Sequence, residues 1–161
     1  MSRNDQIVYS GESNVRRLLD MVAGSEGSSI EFLNSHIVPE PVIRFSGDYA
    51  LHHATRFAQH VARCEGMAVE VCEISAKSRQ KGYAATFNRR TSVMEIDPRS
   101  EILDALLICH ELAHAVSDSH TAAFQQRYVE LVRDYVGPAV GLLLQHELFN
   151  PTMIGTSREG H

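Results

Sequence analysis

Cys109-His110-Glu111-Leu112-Ala113-His114-Ala115-Val116-Ser117-Asp118-Ser119-His120-Thr121-Ala122-Ala123-Phe124 is the stretch on which the reading of this chain turns. His110 and His114 are four residues apart, one turn of a helix, so their rings share a face. Two neutral imidazoles so placed can hold one Zn²⁺, at about 2.0–2.1 Å each. Glu111, between them, projects close to that face and is the candidate general base for a metal-activated water. A catalytic zinc takes three protein ligands and keeps one position open. His120 is the candidate third ligand, because the turn Ser117-Asp118-Ser119 can fold it back toward the pair. Asp118 in the same turn, and Glu130 and Asp134 one helix further on, are its rivals.

The flanking sequence favours burial of this motif. Asp97-Pro98 reads as a helix start, with Ser100 as a competing cap, and the helix is expected to run to about Val116. Leu103, Leu106, Leu107, Ile108 and Ala113 make it apolar nearly all round. Burying two histidines there is costly unless they are paired, and metal coordination supplies the pairing. Downstream, Thr121 is an N-cap for a helix to about Val136, striped by Phe124, Tyr128, Leu131 and Tyr135. Gly137-Pro138 ends it and starts another, with Val140, Leu143, Leu144 and Leu148 inward.

Upstream, Ile7-Val8-Tyr9 reads as a possible edge strand. A helix capped by Ser13 or Asn14 is expected to run to about Ala23, ended by a Gly/Ser loop over 24–29. Ile30 to Leu33 and Val42 to Phe45 are strand candidates on either side of a link bracketed by Pro39 and Pro41. Asp48 is the expected cap of a helix to about Cys64, which carries His52, His53 and His60. Those histidines share their surface with Arg56, Gln59 and Arg63 and read as solvated. Val69 to Ser75 reads as a strand. Residues 76–82, with Lys77, Arg79 and Lys81, read as a loop. Tyr83 to Phe87 and Ser92 to Ile96 form an expected hairpin.

The chain has 161 residues, 43% hydrophobic and 22% charged, with a formal charge of -5 and a pI near 6.0. That suits one domain, taken as residues 1–150 with a loose tail over 151–161. It gives no global drive toward nucleic acid. The three cysteines, Cys64, Cys72 and Cys109, have no framework spacing and fit a reducing cytoplasm. Cys109 reads as a small buried apolar residue. No signal segment and no membrane-length apolar run is present, so the expectation is a cytoplasmic protein without a membrane partner.

The run from His110 to His114, then five residues, then His120-x-x-x-Phe124 with Tyr128 and Leu131, resembles the zincin signature of SprT-like and WLM-type metalloproteases. The spacing to the third histidine is that of the WLM type. The chain is more similar still to a family of small HExxH metallohydrolases of bacteria and their phages. That likeness rests also on Val8-Tyr9-Ser10-Gly11-Glu12, on a hairpin before the HExxH helix, and on Tyr128-Val129-Glu130-Leu131-Val132. Thr121 stands where that signature has glycine after the third histidine. The spacing also imitates metzincins, with Ser117 in place of their glycine and Met153 as the methionine of a turn.

The resemblance implies an α+β, zincin-like fold: a small, mostly antiparallel sheet packed on the active-site helix, followed by further helices. It implies a Zn²⁺-dependent metallopeptidase that lays a protein or peptide substrate along an edge strand, Ser92–Ile96 or Tyr83–Phe87. It places the protein in the cytoplasm of a bacterium or of an infected host. Tyr83, Tyr128, Tyr135 and His146 are candidate oxyanion partners. Two other readings stand beside it: a non-catalytic zinc-binding interaction module, and a DNA-associated protease using Lys77, Arg79, Lys81, Arg89 and Arg90.

Overall fold

The computed structural model describes residues 1–24 and 42–149, with side chains over 1–21 and 42–149. The expected strand at 30–33, the proline link, residues 25–29 of the Gly/Ser loop, Met153 and the tail lie outside the described residues; Gly24 is still helical. Within them the chain is α+β, with six helices and a three-stranded sheet.

The first helix, α1 (Arg3–Gly24), corrects the expected N-terminal strand. Ser2 and Asp5 close a capping box: the Ser2 hydroxyl accepts from the Asp5 N–H at 3.1 Å, and the Asp5 carboxylate accepts from the Ser2 N–H at 2.8 Å. Ile7-Val8-Tyr9 is therefore helical, and Ser13 and Asn14 lie mid-helix rather than at its start. Val8, Glu12, Val15 and Leu19 form the buried stripe.

Helix α2 (Ala50–Cys64) buries Ala50, Ala54, Ala58, Val61 and Ala62. Asp48 does not cap it; Tyr49 stands at the cap position and makes no side-chain cap bond. His52, His53 and His60 are exposed on its outer face.

Strand β1 (Glu70–Glu73) follows, then a short helix α3 (Ala76–Gln80) where a loop was expected. Ser75 makes that helix: its hydroxyl accepts the Ser78 N–H at 3.2 Å. Strands β2 (Ala85–Asn88) and β3 (Val93–Ile96) form the expected hairpin, in register Ala85 to Ile96. The sheet order is β1-β3-β2, with β1 parallel to β3. The sheet is thus mixed, not mostly antiparallel. Met94 and Ile96 of β3 are fully buried, whereas β1 is largely exposed, so β3 takes the middle. Ser92–Ile96 is therefore not an edge. β2 is one, with no strand on its outer side among the described residues.

Helix α4 (Ala105–Ala113) is shorter than expected at both ends, and all nine of its residues are buried. Asp97 and Ser100 lose the cap to Asp104, whose carboxylate accepts the Leu107 N–H at 2.9 Å. The backbone explains why. The Phe45 N–H donates to the Leu103 carbonyl at 3.0 Å and the Ala105 N–H to the Ile43 carbonyl at 2.9 Å, which holds Asp104 extended. The expected strand Val42–Phe45 reduces to that single bridge, Arg44 with Asp104. Beyond Ala113 the helix tightens into i→i+3 turns through Ser117.

Helices α5 (Ala122–Tyr135) and α6 (Pro138–Phe149) complete the fold. Thr121 caps α5 as expected, its hydroxyl accepting the Phe124 N–H at 3.3 Å. α4 packs against β2, α2 and α5; α5 packs on α6; α6 packs on α1. α5 and α6 cross at Gly141, where an added Cβ would stand 2.8 Å from the Arg133 Cα. No helix among the described residues is long and apolar enough to cross a membrane.

Gly141→Ala should therefore cost about 1–3 kcal/mol and lower Tm by roughly 3–10 °C; an unchanged melting curve would mean the crossing has slack. Cys109 is buried with its thiol pKa pushed up by desolvation, whereas Cys64 and Cys72 are exposed. Intact-mass analysis after iodoacetamide should find at most those two alkylated in the native protein and all three in denaturant. A third native adduct would contradict the buried α4.

Candidate metal centre

His110 lies on α4, His114 one residue past its end, and His120 just before the Thr121 cap of α5. Their ring centroids form a near-equilateral triangle: 5.1 Å between His110 and His114, 5.0 Å between His110 and His120, and 5.1 Å between His114 and His120. One nitrogen from each ring lies within 4.8 Å of the others. The Nε2 atoms of His110 and His120 are 3.1 Å apart. Two nitrogens bound tetrahedrally to one zinc at about 2.0–2.1 Å stand roughly 3.3 Å apart, so the spacing fits one shared ion.

The other ring nitrogens are each tied to an oxygen. Nδ1 of His110 donates to the Glu12 carboxylate, Nδ1 of His120 to Asp5 at 2.7 Å, and Nδ1 of His114 to the Ser117 carbonyl at 2.9 Å. A carboxylate and a carbonyl only accept, so the hydrogen sits on Nδ1 and the Nε2 lone pairs face inward. Two buried lone pairs at 3.1 Å repel unless a cation or proton lies between them. The donor set therefore fits a divalent ion that takes imidazole.

The charges around the site follow from the same contacts. Burial pushes the His110 ring down, but Glu12 more than reverses this and leaves its pKa above the usual range. Burial also opposes the charge on Glu12, and His110 with Arg16 outweighs it, so Glu12 stays ionised. The bond to His120 holds Asp5 down to about 2. Burial lowers His114 to about 4. Burial raises Glu111 to about 7, aided by Glu12; His110 and, less, the Phe87 N–H on β2 pull the other way.

The niche around these groups is aromatic. Phe124 lies under all three imidazoles, with centroids 5.1, 4.5 and 4.7 Å from His110, His114 and His120. Tyr9 stacks on His110 at 5.8 Å and meets His120 edge-on at 5.3 Å. The Tyr128 hydroxyl is buried without a hydrogen bond of full geometry among the described residues; it lies near Glu12 and favours its ionised form. Arg16 braces the arrangement from behind. It grips Asp104 at 2.8 and 3.0 Å and stands 3.6 Å from Glu12.

The structure brings His110, His114, His120 and Glu111 together and leaves the rival ligands outside. Asp118 is exposed and paired with Arg89 at 3.4 Å. Glu130 accepts from Gln126 at 3.0 Å, and Asp134 is paired with Arg133 at 2.9 Å. Of the candidate oxyanion groups, Tyr135 donates to Glu65 at 2.6 Å and Tyr128 is fully buried. Asp5, Tyr9, Glu12 and Arg16, one stripe of α1, were given no part in the metal centre by the sequence, where Tyr9 and Glu12 entered only through the N-terminal resemblance. Two signals mark them: the Ser2-x-x-Asp5 capping box, and a glutamate standing in the apolar stripe of Val8, Val15 and Leu19. No family model, curated protein or solved structure matches this chain.

Glu12→Gln keeps the size and removes the charge behind His110. It should weaken Zn²⁺ affinity roughly 10–100-fold in a chelator competition, with the circular dichroism unchanged. Wild-type affinity in that variant would deny α1 its part in the centre.

Proposed function

We propose that the protein is a Zn²⁺-dependent metallohydrolase acting on peptide bonds, with His110, His114 and His120 as ligands and Glu111 as general base. The observation that carries this reading is the convergence of three oriented imidazoles beside one buried carboxyl group. The zincin-like pattern of the sequence supports it, as does the packing of the HExxH helix against β2.

A divalent cation held there would act as a Lewis acid toward a carbonyl oxygen and lower the pKa of a water toward 7. The protein's own groups do the rest. Glu111 accepts a proton at its carboxylate and returns it to the departing amine, a role suited to a group titrating near neutrality. Glu12, Asp5 and the Ser117 carbonyl hold the three rings in one tautomer and one orientation. Phe124 and Tyr9 cover the imidazoles, which strengthens every charge interaction in the niche. The outer edge of β2, next to Glu111, offers backbone groups to an extended chain.

A purely structural zinc site would have no use for Glu111, and it would close its fourth position with a protein ligand. The DNA-associated reading draws little from the geometry: Arg79 is paired with Glu73 at 3.3 Å and Arg89 with Asp118 at 3.4 Å.

His120→Ala should lose bound zinc, measured by inductively coupled plasma mass spectrometry on the purified protein. Glu111→Gln should keep the metal and lose at least about 100-fold of the activity on a peptide library. Full activity in a zinc-loaded Glu111→Gln protein would end the general-base assignment.

A further inference from the structure

The two oxygens of the Asp5 carboxylate are divided between two tasks. Oδ1 accepts from Nδ1 of His120 at 2.7 Å, and Oδ2 accepts from the Ser2 N–H at 2.8 Å. The Asp5 N–H donates in turn to the Ser2 hydroxyl at 3.1 Å. One side chain thus closes the cap of α1 and holds the ring of a candidate metal ligand 115 residues away.

Little else fastens this end of the helix. Ser2, Arg3, Asn4 and Gln6 are exposed, Ile7 is only partly buried, and Val8 is the first residue of the chain to be fully enclosed. The backbone bond from the Gln6 N–H to the Ser2 carbonyl, at 3.1 Å, spans the capping box itself. Among the described residues, the pair of Asp5 with His120 is the one ion pair that reaches residues 1–8. A first turn left in water in this way frays unless its cap holds. Tyr9, one turn beyond Asp5, follows the same helix start; it stacks on His110 at 5.8 Å and meets His120 edge-on at 5.3 Å.

We infer that the capping box is an outer layer of the metal centre: Ser2 is a positioning residue that acts through Asp5 on His120, and metal binding and closure of the first turn of α1 reinforce each other. This rests on the metal reading above. A cation on Nε2 draws electron density from the His120 ring and makes its Nδ1–H a stronger donor to Asp5. A closed cap keeps Asp5 where that donor meets it. Coupling of this kind is reciprocal: whatever stabilises the closed turn tightens metal binding, and the metal stabilises the turn by the same factor. Ser2 itself hydrogen-bonds to Asp5 and Gln6 alone among the described residues, so its effect on the metal must pass through the turn.

The test is zinc affinity of the full-length protein by chelator competition, read beside hydrogen exchange of the backbone amides of Gln6–Tyr9. Ser2→Ala should weaken zinc binding about 2–30-fold, the factor to which loss of an N-cap converts. Ser2→Thr keeps a hydroxyl acceptor and should restore wild-type affinity. Ser75→Ala removes the same kind of cap from α3 and should bind zinc as the wild type does. Saturating zinc should slow exchange across Gln6–Tyr9. Wild-type affinity in Ser2→Ala, an equal loss in Ser2→Thr or in Ser75→Ala, or exchange at Gln6–Tyr9 that zinc leaves unchanged would overturn the coupling and leave the metal centre standing. A wild-type protein that binds no zinc would instead overturn the metal reading, and the coupling with it.

Discussion

A carboxylate buried in the apolar face of a helix must be partnered, and Glu12 finds its partner in His110. That contact ties the first helix of the chain to the helix that carries the HExxH motif, 98 residues away in sequence. Breaking it would leave an uncompensated charge in the interior, which costs several kcal/mol where both members are as enclosed as these. Arg16 makes the contact a network rather than a pair. Its guanidinium spans Glu12 and Asp104, and Asp104 in turn caps α4. The position of His110 is thereby set from both ends: by the cap that starts its helix, and by the carboxylate that holds its ring.

The same logic extends to the other two imidazoles. Asp5 fixes His120, and the Ser117 carbonyl, presented by the tightened turns after Ala113, fixes His114. Each ring is left with one nitrogen to offer, and all three offers meet. Phe124, four residues past the third histidine, packs under the whole triangle. The H-x-x-x-F spacing thus has a physical reason: one helical turn brings the phenyl ring beneath the histidine that precedes the cap.

The parts of the molecule legible in its sequence were those governed by local chemistry. Thr121 caps α5 because its hydroxyl reaches an N–H three residues on. The hairpin of β2 and β3 follows from two short apolar runs separated by a polar turn. The clustering of His110, His114 and His120 was legible because the first two lie one helical turn apart and a short turn, Ser117-Asp118-Ser119, returns the third. What escaped was decided at a distance. Asp97 is a sound cap in isolation, yet Asp104 takes the role because the 43–45 segment holds it extended and Arg16 grips its carboxylate. The parallel pairing of β1 with β3 joins segments about twenty residues apart and leaves no signature within either. Tyr9 and Glu12 were visible only as part of an N-terminal resemblance. Their work at the centre depends on where α6 places α1. Local signals were also passed over: the capping box at Ser2, which makes the first residues helical, and the Ser75 cap, which turns the expected loop into α3.

The proposed chemistry needs His110, His114 and His120 to share one metal ion. X-ray absorption at the zinc edge, on protein loaded with one equivalent of Zn²⁺, reads its coordination sphere directly. The expected spectrum fits three imidazoles at about 2.0 Å and one further light-atom ligand, with the multiple scattering that histidine rings produce. A shell containing sulfur, a shell with fewer than three imidazoles, or zinc that washes out on gel filtration would contradict it.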